Sequence, residues 1–144
     1  MTFDSPENAD LVVTVLRRAD TVRFRRRTSR AVYNRQGSDA YEPLARGIYG
    51  RLREAWERAV EEVLLNGAVM RFGRTIQTQR LCRLTDISEA DMHAVDEGMA
   101  KASRFLEGHD EAAAVNEPVP GPDEVAQDIE ALGSWVQTIR RRRQ

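Results

Sequence analysis

The chain has 144 residues, 41% of them hydrophobic and 31% charged, with a net charge of −1. That balance suits a folded core and argues against wholesale disorder. With no apolar run near the roughly 20 residues that span a bilayer and no signal-like hydrophobic N-terminus, the expectation is a cytoplasmic chain without membrane contact.

One cysteine, Cys82, and two histidines exclude an internal disulfide and the usual Cys/His zinc site, so neither metal nor cofactor is expected. The near-neutral charge is unevenly spread. Residues 17–35 hold eight arginines against Asp20, and residues 84–139 hold thirteen acids against Lys101 and Arg104. Arg140 to Arg143 then close the chain. Such a basic end can pair with the acidic half or seek phosphate. Twenty-one arginines against one lysine suit bidentate phosphate recognition, though a GC-rich genome produces the same bias.

Residues 1–10 read as a flexible, polar start. Over 11–34, Val13/Val15 and Val22/Phe24 alternate with polar residues, which predicts a short β-hairpin or strands, with a helix over 9–19 as the competing reading. This segment carries Arg23, Arg25, Arg26, Arg27 and Arg30 beside Val22, Phe24 and Tyr33. Arginines interleaved with aromatics can hold RNA or single-stranded DNA by phosphate contact and stacking; a solvated or docked face is the alternative.

A helix is predicted over 40–66. Asp39 and Glu42 have capping-box spacing, and Pro43 is tolerable in a first turn. Ile48, Leu52, Trp56, Ala59 and Val63 form one apolar stripe, and Asn66-Gly67 supplies a stop. Residues 68–84 alternate like a strand over 75–81, yet Met70, Arg74, Ile76 and Leu81 could share a helical face; helix is the preferred reading.

The next helix, over 89–107, opens on Ser88 and Asp91, an acidic capping box, with Ile87 spaced to staple onto Met92. Met92, Val95, Met99, Ala102 and Leu106 form its stripe, and Gly108 its stop. The last helix, over 123–141, starts at Pro122-Asp123 and repeats the spacing through Val125, Ile129, Leu132, Val136 and Ile139. These two make a C-terminal helical hairpin closed by a Pro/Gly loop. The expected architecture is mostly α: a flexible start, then one small helical bundle over 11–144 with a short β element near its N-terminus. The stripes fit a monomeric bundle and a dimer seam equally well.

No phosphate-binding glycine loop, GxSxG, HExxH, CxxC or EF-hand pattern is present. Two weaker constellations remain. Arg53 and Glu57 sit at i,i+4, as do Arg58 and Glu62, spacings that usually mean surface ion pairs. His109 follows Gly108 with Asp110 beside it, so it could move protons near neutral pH or simply interact with the last carbonyls of its helix. His93 reads as exposed.

Residues 49–81, "YGRLREAWERAVEEVLLNGAVMRFGRTIQTQRL", and 98–143, from "GMAKASRFLEGHDE" to the terminal arginines, resemble the C-terminal region of bacterial ABC-type P-loop ATPases of phage-defence type. That group includes the anticodon nucleases PrrC and RloC. The resemblance covers about two-thirds of the chain, which departs from the full family by lacking every nucleotide-binding motif. It implies a helical accessory domain of the kind that follows an ATPase core, with an ATPase or RNA as partner. The nucleases of the group carry an Arg-x-x-x-Glu pair followed by a histidine. Carried over, these are Arg53, Glu57 and His109, with Arg58, Glu62 and His93 as alternatives. The implied reaction is metal-independent attack of an RNA 2′-hydroxyl on its own phosphate, with Glu57 and His109 exchanging protons and Arg53 stabilising the phosphorane.

Overall fold

The computed structural model describes residues 25–106 and 117–144. The described chain is helical: α1 over 25–36, α2 over Ser38–Ala59, a π-helical turn over Val60–Leu64, a 3-10 segment over Thr78–Asp86, α3 over Glu89–Phe105 and α4 over Pro122–Arg142. Of the segment read as strands over 11–34, residues 25–34 are instead part of an α-helix, and no strand occurs among the described residues; the alternating pairs Val13/Val15 and Val22/Phe24 lie outside them. Over 25–36 only Thr28 and Val32 are β-branched, and the arginines and Ala31 around them favour helix. The remainder of that segment, residues 11–24 with Arg23, and the start over 1–10 lie outside the described residues.

Gly37 joins α1 to α2 with φ 85, and its N–H donates to the Tyr33 carbonyl at 3.0 Å. A left-handed residue at a helix end is where glycine has least steric cost. Because α1 runs almost directly into α2, the start of α2 differs from expectation. Gly37 takes the cap position and no side chain caps the helix; Asp39 lies in the first turn instead. Glu42 accepts from Arg46 at 3.0 Å rather than closing a capping box. The Tyr33 and Tyr41 rings meet edge to face with centroids 5.1 Å apart, folding α1 against α2.

The predicted stripe of α2 is wholly buried, joined by Tyr41, Ala45, Tyr49 and Ala55. After Ala59 the helix widens into the π turn, closed by a Leu65 N–H to Val60 carbonyl bond of 2.8 Å. Asn66 and Gly67 then take φ values of 53 and 67, so the expected stop is real. The helix expected over 68–84 does not form. Gly73 donates to the Met70 carbonyl at 2.9 Å in a tight turn, and only the 3-10 segment follows. Its apolar residues find no core to face, which removes the packing that stabilises most short helices.

Both halves of the Ser88/Asp91 capping box are present at the start of α3. Ile87, Val95, Met99 and Leu106 pack on the core and Ala102 is fully buried, but Met92 stays 59% exposed and outside it. Gly98 lies against Trp56: a Cβ there would fall 2.2 Å from the indole ring. Trp56 in turn meets Trp135 with ring centroids 5.3 Å apart. Pro122 takes the first turn of α4, and its entire predicted stripe is buried with Trp135.

Cross-links between elements fix the topology. The Tyr49 hydroxyl donates to Asp128 at 2.5 Å near the start of α4, and Arg143 reaches the Val63 carbonyl beyond its end at 2.6 Å, so α2 and α4 run parallel. Lys101 late in α3 pairs with Glu124 early in α4, whereas Asp91 early in α3 meets Trp135 and Arg142 late in α4. The expected antiparallel hairpin of α3 and α4 therefore forms, and the two enclose one face of α2.

Candidate functional site

On the exposed flank of α2, one helical turn brings Arg53 Nε within 3.5 Å of Glu57 Oε1, in ion-pair range but not aligned for a hydrogen bond. Arg58 and Glu62 make the second such pair at 3.4 Å. The chain reversal at Asn66-Gly67 then returns Arg71 to the same flank. Its guanidinium donates to Glu57 Oε2 at 2.7 Å through Nη1 and to Glu61 through Nε. Those two carboxylates hold the Arg71 guanidinium in its charged form, raising its pKa further. Arg71 was invisible to short-range spacing because it lies 14 and 10 residues from its partners. Only the left-handed Asn66-Gly67 pair hinted that the chain turns back.

Of the three residues proposed for RNA cleavage, Arg53 and Glu57 are adjacent, and His109 lies outside the described residues. His93 is exposed on α3. The π turn buries Glu61 and Glu62, and π turns are often found where a helix has been adapted to function.

A second cluster joins the end of α4 to the start of α3. Arg142 donates to Asp91 at 2.9 Å and to Asp86 at 3.1 Å, while Trp135 Nε1 donates to Asp91 at 3.1 Å. Arg143 grips Asp86 through two bonds of 2.9 Å and donates to the carbonyls of Val63 and Leu64 at the open end of the π turn. The hydrogen bonds from Arg143, with those from Arg142, hold Asp86 below the usual carboxylate range. Burial alone would raise Asp91, but the Ser88 N–H, Arg142 and Trp135 outweigh it and keep it low. The expected attraction between the basic end and the acidic half is thus present, through Arg142 and Arg143. Arg140 and Arg141 face solvent.

Along the basic edge, Arg25 and Arg27 are exposed on α1 and Arg26 is half-buried. Arg30 is engaged with Asp123 at 2.5 Å. At the same end of α4, Lys101 lies between Glu124 at 2.7 Å and Asp128 at 2.9 Å, beside an open cleft of about 590 Å³ lined partly by Arg104, Pro118 and Pro120. Burial would lower the Lys101 pKa, yet the two carboxylates raise it overall. Among the described residues no group of three or more His, Cys, Asp or Glu side chains is placed to hold a metal ion, and no helix is long and apolar enough to cross a membrane.

These features define a small α-helical bundle edged with guanidinium–carboxylate clusters. No family model matches the chain, and neither curated proteins nor solved structures give a significant match.

Proposed function

We propose that the bundle is an interaction domain of the accessory kind that follows an ABC-type ATPase core, contacting nucleic acid through the basic edge of α1. The observation that carries this reading is the contrast among its arginines. Arg30, Arg142 and Arg143 are committed to carboxylates of their own chain, whereas Arg25 and Arg27 are exposed with no carboxylate partner among the described residues. Guanidinium groups left this way match phosphate in charge and geometry. Fluorescence anisotropy with labelled single-stranded RNA, titrated with salt, tests it. Binding should weaken as salt rises, and Arg25→Ala/Arg27→Ala should reduce the slope of log K against log salt by about 1.4, two phosphate contacts at about 0.7 each. Absence of binding at low salt, or an unchanged slope in the variant, would sink it.

The adjacency of Arg53 and Glu57 favours a second reading, a tRNA-cleaving ribonuclease using these two residues with His109. Against it, Arg71 occupies the other Glu57 oxygen at 2.7 Å, so the carboxylate would have to release that partner to accept a proton. Incubation with tRNA in EDTA separates the readings. Fragments ending in cyclic phosphate, abolished by Arg53→Ala and by His109→Ala, would establish the nuclease; intact tRNA at high protein concentration would leave the interaction domain.

A further inference from the structure

Phe72 stands 96% exposed at the tip of the turn that Gly73 closes onto the Met70 carbonyl. Three more apolar side chains of the same segment, residues 69–81, face solvent: Val69, Ile76 at 60% and Leu81. The loop that carries them is held at several points. Arg71, next to Phe72, is tied to Glu57 and Glu61, the Gln77 N–H donates to the Ala68 carbonyl at 2.8 Å, and Asn66 Nδ2 donates to the Arg80 carbonyl at 3.3 Å. An aromatic side chain on a loop already fixed in place loses little further entropy on binding, which favours it as an interface anchor.

Charge identifies what would cover it. Residues 65–84 contain four arginines and no acid, and residues 85–100 contain five acids with no lysine or arginine. Of those acids, Asp86 and Asp91 are taken by the terminal arginines. Glu89, Asp96 and Glu97 are exposed with no cation in ion-pair range among the described residues, and Arg74 is exposed with no carboxylate there. Glu89, Met92, His93 and Asp96 are spaced to share one face of α3, so the exposed Met92 sits between two unpaired acids. One surface thus has an aromatic centre beside a free arginine, and the other a methionine centre between free carboxylates. Methionine sulfur against an aromatic ring is itself favourable.

We propose that these surfaces take each other in a second copy of this chain: the Phe72 turn of each protomer docks on the acidic, Met92-bearing face of α3 of its partner. A two-fold axis lets both contacts form at once, so the pair closes without leaving either surface open. This association goes beyond the nucleic-acid reading and does not depend on it, since neither surface uses the basic edge of α1.

Sedimentation equilibrium of the 144-residue chain, over a range of protein concentrations at low salt, tests the pairing. The expected result is a concentration-dependent rise to twice the monomer mass. Phe72→Glu should weaken association at least about tenfold, while far-UV circular dichroism, and thermal unfolding at concentrations where both proteins are monomeric, stay unchanged. Arg74→Glu and the double variant Glu89→Arg/Asp96→Arg should each be monomeric alone, and an equimolar mixture of the two should recover the dimer, because both contacts are then again of opposite sign. A monomer at every concentration would overturn the proposal and leave the surface to another partner. A dimer that Phe72→Glu leaves intact, or that the mixture fails to restore, would overturn it as well.

Discussion

Gly98 shows how much one residue decides. It has no role in a turn; it lies within α3, where a helix normally favours any residue over glycine except proline. The indole of Trp56 occupies the space where its side chain would be. Gly98→Ala gains helix propensity of about 1 kcal/mol but must push Trp56 against Trp135, and overpacking of this kind costs about 1–3 kcal/mol. The net expectation is destabilisation, read as a lower urea midpoint. A midpoint at or above that of the parent protein would show that Trp56 can give way. The tyrosines supply a second test at this scale. Burial, with charge repulsion from Tyr33 and Glu124, outweighs the Arg30 charge and raises Tyr41 from 10.0 to about 12, and burial with the Asp128 hydrogen bond raises Tyr49 further. For a group whose folded pKa is raised, stability is fully present below the unfolded value and lost as pH rises through the folded one. Unfolding monitored from pH 9 upward should therefore show stability falling from about pH 10, with the Tyr41 contribution gone above about pH 12. In Tyr41→Phe that part of the alkaline loss should disappear.

At the scale of elements, the clasp of Arg142 and Arg143 on Asp86 and Asp91 joins the end of α4 to the 3-10 segment, α3 and the π turn. Asp91 is only 3% exposed, so removing its guanidinium leaves a buried carboxylate with the Trp135 and Ser88 donors alone. Arg142→Ala should cost about 1–3 kcal/mol in denaturant unfolding. Arg143→Ala should cost a similar amount by freeing the carbonyls of Val63 and Leu64 as well as Asp86. Both aspartates are held below their ordinary value of 3.8, so their contribution is present above that value and lost as pH falls through the lower folded pKa. Thermal unfolding between pH 5 and pH 2 should thus fall more steeply in the parent protein than in Arg142→Gln/Arg143→Gln. Parallel curves would show that the clasp contributes little. The elements also show where sequence reading succeeds. Asn66-Gly67, Ser88/Asp91 and Pro122 each mark an element end by a local backbone preference. The Asp39/Glu42 capping box did not form because α2 begins earlier than its spacing implies, with Gly37 at the cap position and Asp39 already inside the first turn.

For the whole molecule, the three stripes on α2, α3 and α4 meet in a single core, with α2 and α4 parallel and α3 antiparallel to both. Most of that core was legible. Every stripe residue named from spacing on α2 and α4 is buried, because a 3.6-residue period fixes which side chains share a face whatever the face later meets. Met92 is the exception on α3: Ile87 and Asp91 keep that end of the helix against the core, but Met92 lies on its outer side. The candidate site was less legible. Arg53 and Glu57 are neighbours by helical period alone, but Arg71 reaches Glu57 only because the chain reverses after the π turn. Phe72→Glu should shift unfolding by no more than about 0.5 kcal/mol, as a surface change away from any buried contact, which keeps it a clean probe of association rather than folding.

The sequence by itself determined the helical class, the bundle stripes, the stops and starts at Asn66-Gly67, Ser88 and Pro122, and the opposition of basic and acidic segments. These follow from short-range backbone preference and periodicity. Only the tertiary structure decided that 25–36 is helix, that 68–77 is not, that Gly98 makes room for Trp56, and which arginines are spent on carboxylates among the described residues. Those outcomes depend on pairs of groups far apart along the chain, whose distance is set by how the helices pack and by nothing in their local sequence.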